Sequence, residues 1–108
     1  MSNKREHDPA RLFAALGDRN RLALVTRLVA AGALTATALS DGQPISRQAI
    51  VKHLQVLETA GLVVHERRGR EVLYAVDRDR LDDARAFLDA MAAGWDRALA
   101  RLRDLVKS

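Results

Sequence analysis

A chain of 108 residues with 48% hydrophobic and 30% charged side chains has the balance of one globular domain, which excludes a multi-domain architecture and global disorder. The absence of cysteine removes disulfides, thiolate metal sites and cysteine nucleophiles, and suits a reducing cytoplasm. The net charge of +4 belongs to the front and middle of the chain, because the seven basic residues of 77–108 are matched by seven acids, so a polyanion is the partner to expect.

No apolar run approaches the roughly 18–20 residues needed to span a bilayer, and the N-terminus lacks a signal-peptide pattern, so no membrane partner and a cytoplasmic location are expected. Residues 1–7, MSNKREH, read as a disordered tail ahead of a folded body over 8–77 and a helix over 78–108 in the same domain. Asp8 and Pro9 suit an N-cap and first helical position. Leu12, Phe13 and Leu16 then share a face before Gly17 ends a short helix. A second helix starts at Asp18 or Asn20, repeats apolar residues at Leu22, Val25, Leu28 and Val29, keeps Arg19, Arg21 and Arg27 mostly on the wet side and closes at Gly32. A weaker third helix over 34–40, capped by Thr35, is broken by Asp41-Gly42 and Pro44.

The fourth helix is the most strongly specified. Ser46 caps it, and Ile45 with Ile50 forms a hydrophobic staple that fixes its entry angle. At helical spacing Ile50, Leu54 and Leu57 fall on one side. Gln48, Lys52, Gln55 and Thr59 lie near the opposite pole, flanked by Arg47 and Val51. After Gly61, VVHER and GREVLYAV read as two strands joined around Arg68-Gly69-Arg70, with one side packed and one exposed. The last helix, capped by Asp77 or Asp79, spaces Leu81, Ala84, Leu88, Met91, Trp95, Ala98, Leu102 and Leu105 alternately three and four apart, a heptad seam suited to packing against other long helices. Gly94 inside it costs roughly 1 kcal/mol relative to alanine, which marks a bend or a close neighbour.

This order gives a mainly α fold with a small β-hairpin: a helix-turn-helix with a basic wing. The major groove of B-form DNA admits one α-helix, whose N-terminal half reaches base edges. Gln48 then suits adenine, Lys52 or Arg47 guanine or phosphate, Val51 a thymine methyl, and Ser46 a phosphate, with Gln55 further along the same stripe. Arg67, Arg68 and Arg70 at the wing tip suit the backbone or the minor groove. The competing readings are an ordinary solvated face for the helix and a solvated hairpin tip for the arginines.

The stretch SRQAIVKHLQVLETAGLVVHERRGREVLYAV resembles the recognition helix and wing of ArsR-type (ArsR/SmtB) winged-helix transcription regulators, and FAALGDRNRLALVTRLVAAG is similar to their usual opening. The resemblance covers about residues 8–77. It implies a homodimeric DNA-binding regulator, usually a repressor, whose first and last helices form the dimer interface. On that reading Leu12, Leu88, Met91, Trp95 and Leu102 carry the contact between copies, at a pitch that sets two recognition helices in successive major grooves of a near-palindromic operator. Met91 and Trp95 alternatively line a small-molecule pocket. Metal-sensing members carry a cysteine pair in the third helix or Asp and His ligands in the last. This chain has TATALSDG at the first place and no histidine over 77–108, and His7, His53 and His65 are not paired at metal-ligand spacing, so no metal or cofactor is expected and the inducing small molecule or protein is open.

Nothing in the sequence suggests an enzyme: there is no phosphate-binding glycine loop and no nucleophile paired with a base, and Asp82, Asp83 and Asp89 sit among arginines on a helix. The rival to a DNA regulator is a winged-helix protein-interaction module, because fold alone does not establish DNA binding.

Overall fold

The computed structural model describes residues 8–107. The tail expected over residues 1–7, with His7, lies outside the described residues. Asp8 accepts the Ala10 amide at 3.0 Å and opens α1 (Pro9–Leu16), with proline at a position whose missing N–H costs nothing. Asp18 caps α2 (Arg19–Ala31) by accepting the amides of Asn20 and Arg21 at 2.8 and 3.1 Å, and Gly32 closes it at φ 92°. Strand β1 (Leu34–Thr35) follows, and Thr35 then caps α3 (Ala36–Ser40) through the Ala38 amide. After the turn at 41–46 come α4 (Arg47–Thr59), β2 (Val63–Arg68), β3 (Glu71–Val76) and α5 (Arg78–Lys107), whose first turn is capped by Asp77.

The expected two-stranded ribbon is a three-stranded antiparallel sheet in the order β1-β3-β2. Leu34 pairs with Tyr74 and Thr35 with Leu73 on one side of β3, and Val63 to Arg68 run against Val76 to Glu71 on the other. This corrects two expectations. The start of the third helix is a strand. The packed and exposed faces of β3 are also not separated: Val72, Leu73, Tyr74 and Ala75 are all half-buried in a strand flanked by β2 and, at Leu73 and Tyr74, by β1, with α2 and α3 packed against it. A third strand also supports a ribbon that would be marginal with two.

Leu28, Leu39, Ile50, Leu54, Leu57, Leu62 and Val63 form the centre of the core, each fully buried, with Leu12, Ala15, Leu24, Val25 and Ala84 around them. Burying each large aliphatic side chain contributes about 1.5–3 kcal/mol. In α2 the inward stripe is Leu24, Val25 and Leu28, while Leu22, expected inside, is 51% exposed. That rotation brings two arginines inward that were expected in water. Arg21 Nε donates to the Ala15 carbonyl at 2.6 Å, and Arg27 donates to the carbonyls of Leu39 and Ala38 at 2.6 and 3.2 Å. Arg21 thereby satisfies a carbonyl at the end of α1, and Arg27 does the same at the end of α3, where the Ala38 carbonyl also accepts the Asp41 amide.

Only the first turns of α5 belong to this core. Ala84 is buried, Leu81 half-buried, and the Phe87 ring lies 5.7 Å from that of Phe13. Beyond them the helix leaves the protein. The radius of gyration is 17.9 Å, whereas a compact chain of this length has about 13 Å.

Candidate nucleic-acid interface

Ser46 Oγ accepts the Ala49 amide at 3.1 Å, and Ile45, half-buried beside the core, ends the approach to α4 while Ile50 inserts into it. The helix is thereby held by its inner side, with Ile50, Leu54 and Leu57 buried. Ser46, Arg47, Gln48, Lys52 and Gln55 are exposed on the outer side. Val51 is half-buried against the core, so part of the surface expected to meet a thymine methyl is committed to packing. The one acid of α4, Glu58, lies at its far end and is held by His65 Nδ1 at 2.5 Å, so the N-terminal half presents positive and amide groups with no carboxylate among them. His65 lies in β2, as the VVHER run predicts, and also ties β2 to α4, its ring centroid 5.8 Å from that of Tyr74.

The Arg21 amide hydrogen bond holds the Asp18 carboxyl below its ordinary value against a smaller opposing effect of desolvation, and the Asn20 amide and the Arg21 guanidinium act in the same direction. His53, half-buried on α4, adds the smallest contribution.

At the wing, Arg68 pairs with Glu71 across a two-residue turn, Gly69-Arg70, with Gly69 at φ 61°. A glycine at positive φ followed by a residue at negative φ is the type II′ turn that matches the twist of the flanking strands. The three arginines differ in surroundings. Arg68 Nε donates to Glu66 at 3.2 Å and also faces Glu71 across the ladder. Arg67, on the other face, and Arg70, in the turn, are exposed and form no ion pair among the described residues. The sequence contains both glutamates, but only the strand register shows that they flank Arg68.

The residues expected between copies divide in two. Leu88, Met91, Trp95 and Leu102 are 52%, 44%, 63% and 56% exposed along the projecting part of α5. Leu12 is 4% exposed and lies in the core of its own protomer, so it has no surface to offer a second chain. Phe13, half-buried against Phe87, holds the place on α1 nearest that face. Met91, Gly94, Trp95 and Ala98 line an open groove of about 340 Å³ whose walls all come from α5 itself.

Comparison with known proteins decides the family. Residues 16–66 match the model of a helix-turn-helix domain family. The chain is 39% identical over 100 residues to the HTH-type transcriptional regulator Rv2034 of Mycobacterium tuberculosis, covering 93% of this chain and 90% of that one. A structure of an ArsR-like transcriptional regulator from Rhodococcus sp. RHA1 superposes with a TM-score of 0.77 at 38% identity, covering 90% of this chain and 91% of the other. This chain belongs to the ArsR-type family of winged helix-turn-helix transcription regulators. A second likeness is the homodimeric winged helix-turn-helix DNA-binding domain Mb0332 from Mycobacterium bovis, described as a possible ArsR-family transcriptional regulator, with a TM-score of 0.63 at 26% identity over 78% of this chain and 77% of that domain. Family membership makes the chain a transcriptional regulator with DNA as its partner, and no described helix is long and apolar enough to cross a membrane.

Proposed function

We propose that this ArsR-type regulator is a homodimeric repressor that reads a near-palindromic operator. Its working surface is the outer side of α4, where Arg47, Gln48 and Lys52 stand exposed with no carboxylate among them. That is the observation that carries the reading. Gln48 reads adenine by a bidentate amide contact, Arg47 and Lys52 reach guanine or phosphate, and Ser46 sets the helix N-terminus against a phosphate. Gln55, two turns further along and beside α1, serves the flank of the site, and Val51 holds the helix at its depth. Arg67 and Arg70 supply the wing's phosphate contacts, and Arg68, already flanked by two glutamates, supplies less.

On this reading residues 8–77 are the DNA-binding part and α5 joins the copies through Leu88, Met91, Trp95 and Leu102. From Leu88 onward the helix runs about 30 Å at 1.5 Å per residue, and its exposed apolar row is larger than a monomer ordinarily leaves uncovered. The Mycobacterium bovis likeness is homodimeric, which supports pairing of copies. Two copies place two α4 helices one helical turn of DNA apart, and a dimer seated on an operator represses by occupying it.

The test is duplex binding as a function of salt with an operator selected from random sequence. The expected result is a steep fall of log affinity with log salt, and a loss of roughly 1–3 kcal/mol of discrimination at one base pair in Gln48→Ala. Equal, weak affinity for every sequence would point instead to the protein-interaction module.

A further inference from the structure

On the side of α1 away from α5 lies a groove of about 660 Å³, floored by Ala14, Ala15, Val56 and Ala60 and rimmed by Arg11 and Lys52. Its size falls within the roughly 300–1,000 Å³ of small-molecule sites. Val56 is 43% exposed there, an apolar side chain beside the exposed Lys52 and Gln55. No carboxylate lines the groove. Of its three cations, Arg21 is occupied by the Ala15 carbonyl and Asp18, whereas Arg11 and Lys52 are exposed and form no ion pair among the described residues. Phe13, where α1 meets α5, is two residues from both Arg11 and Ala15 and so points to the opposite side of the helix. Pairing of copies through α5 therefore does not by itself cover the groove.

An apolar floor with two unneutralised cations at its rim complements an amphipathic anion. We propose that the groove between α1 and α4 binds a small organic carboxylate with an apolar body, as the effector of the regulator proposed above. The carboxylate sits between the Arg11 guanidinium and the Lys52 ammonium, and the apolar body lies over Ala14, Ala15, Val56 and Ala60. The consequence for DNA rests on the preceding reading, because Lys52 is then shared: a bound anion neutralises a cation that α4 otherwise turns toward DNA. By linkage the duplex must lower affinity for the anion by the factor by which the anion lowers affinity for the duplex.

The experiment is calorimetric titration of the full chain, free of DNA, with decanoate, against decanol of equal chain length and acetate of equal charge, alongside duplex binding and sedimentation on the same samples. Saturable binding of one decanoate per chain is expected, with decanol and acetate each weaker by about tenfold or more, since each lacks one of the two contacts. Arg11→Gln should weaken decanoate by about tenfold. Ala14→Leu, an exposed α1 position that fills the groove, should remove binding while leaving helix content and duplex affinity unchanged.

No saturable decanoate binding, or binding untouched by Arg11→Gln and Ala14→Leu, overturns the proposal, as does decanol binding equally well. If Ala14→Leu changes the sedimenting mass, the groove is a contact between copies and the proposal also fails. Loss of sequence-specific duplex binding by the wild-type chain would sink the regulator reading instead, and decanoate binding, measured without DNA, is read separately from it.

Discussion

The Asp18 carboxylate shows how a single side chain serves both a helix and its neighbours. It accepts two amides at the start of α2, lies 4.0 Å from the Arg21 guanidinium and is reached by the charge of His53 from α4. These partners favour its ionised form, so its pKa in the folded chain lies below the ordinary carboxylate value. A depressed folded pKa contributes stability that is complete above the unfolded value of about 3.9 and is lost as pH falls through the lower folded one. Asp18→Asn, which keeps a capping side chain without the charge, should therefore unfold more readily than wild type at neutral pH. The difference in denaturation midpoint should shrink below about pH 4. A difference that stays constant into that acid range would show that the charge itself contributes nothing.

Among the elements, α5 and the wing carry the sharpest consequences. A methyl group added at Gly94 would meet nothing closer than Arg97 Nη2 at 3.9 Å, so no contact within the protomer requires a glycine there. Gly94→Ala should stabilise the isolated helix by roughly 1 kcal/mol. If a second α5 crosses at the Met91, Gly94, Trp95 and Ala98 groove, the same change should raise the dimer dissociation constant, a split visible by comparing thermal melts with dilution series. At the wing, Arg67→Ala and Arg70→Ala should each weaken duplex binding across sequences and reduce the salt slope by about one phosphate contact, with Arg68→Ala doing less. Equal losses at all three would mean that Glu66 and Glu71 do not compete for Arg68.

The parts of these elements legible in the sequence are those decided locally. Asp8, Asp18, Thr35 and Ser46 cap the helices that their own spacing suggests, because a cap is chemistry among four consecutive residues. The outward face of α4 is legible for the same reason, since Ile50, Leu54 and Leu57 fix which side faces inward. Strand β1 is not: two residues have no periodicity, and Leu34 is extended because it finds Tyr74 forty residues away. The inward turn of Arg21 and Arg27 likewise depends on where the ends of α1 and α3 come to rest. Leu12 is an apolar residue of a short helix, and its burial is settled only once α1 has docked.

At the scale of the molecule, a core of ordinary size carries an arm that it does not need for itself. The extents of 67 × 39 × 20 Å describe a body with one helix reaching away from it, and the exposed face of that helix is apolar from Leu88 to Val106. A second copy covering that face turns a basic helix with a wing into a pair of such surfaces at fixed separation, which is what a symmetric site on DNA requires. The direct test is sedimentation of the full chain, alone and with an operator-length duplex, for wild type and for Trp95→Asp, a change at a side chain 63% exposed in the protomer. The wild-type chain should sediment as a dimer and load two chains per duplex, and Trp95→Asp should remain folded but sediment as a monomer that has lost tight duplex binding. A wild-type monomer that binds the duplex tightly, or a dimer indifferent to Trp95→Asp, would contradict the account.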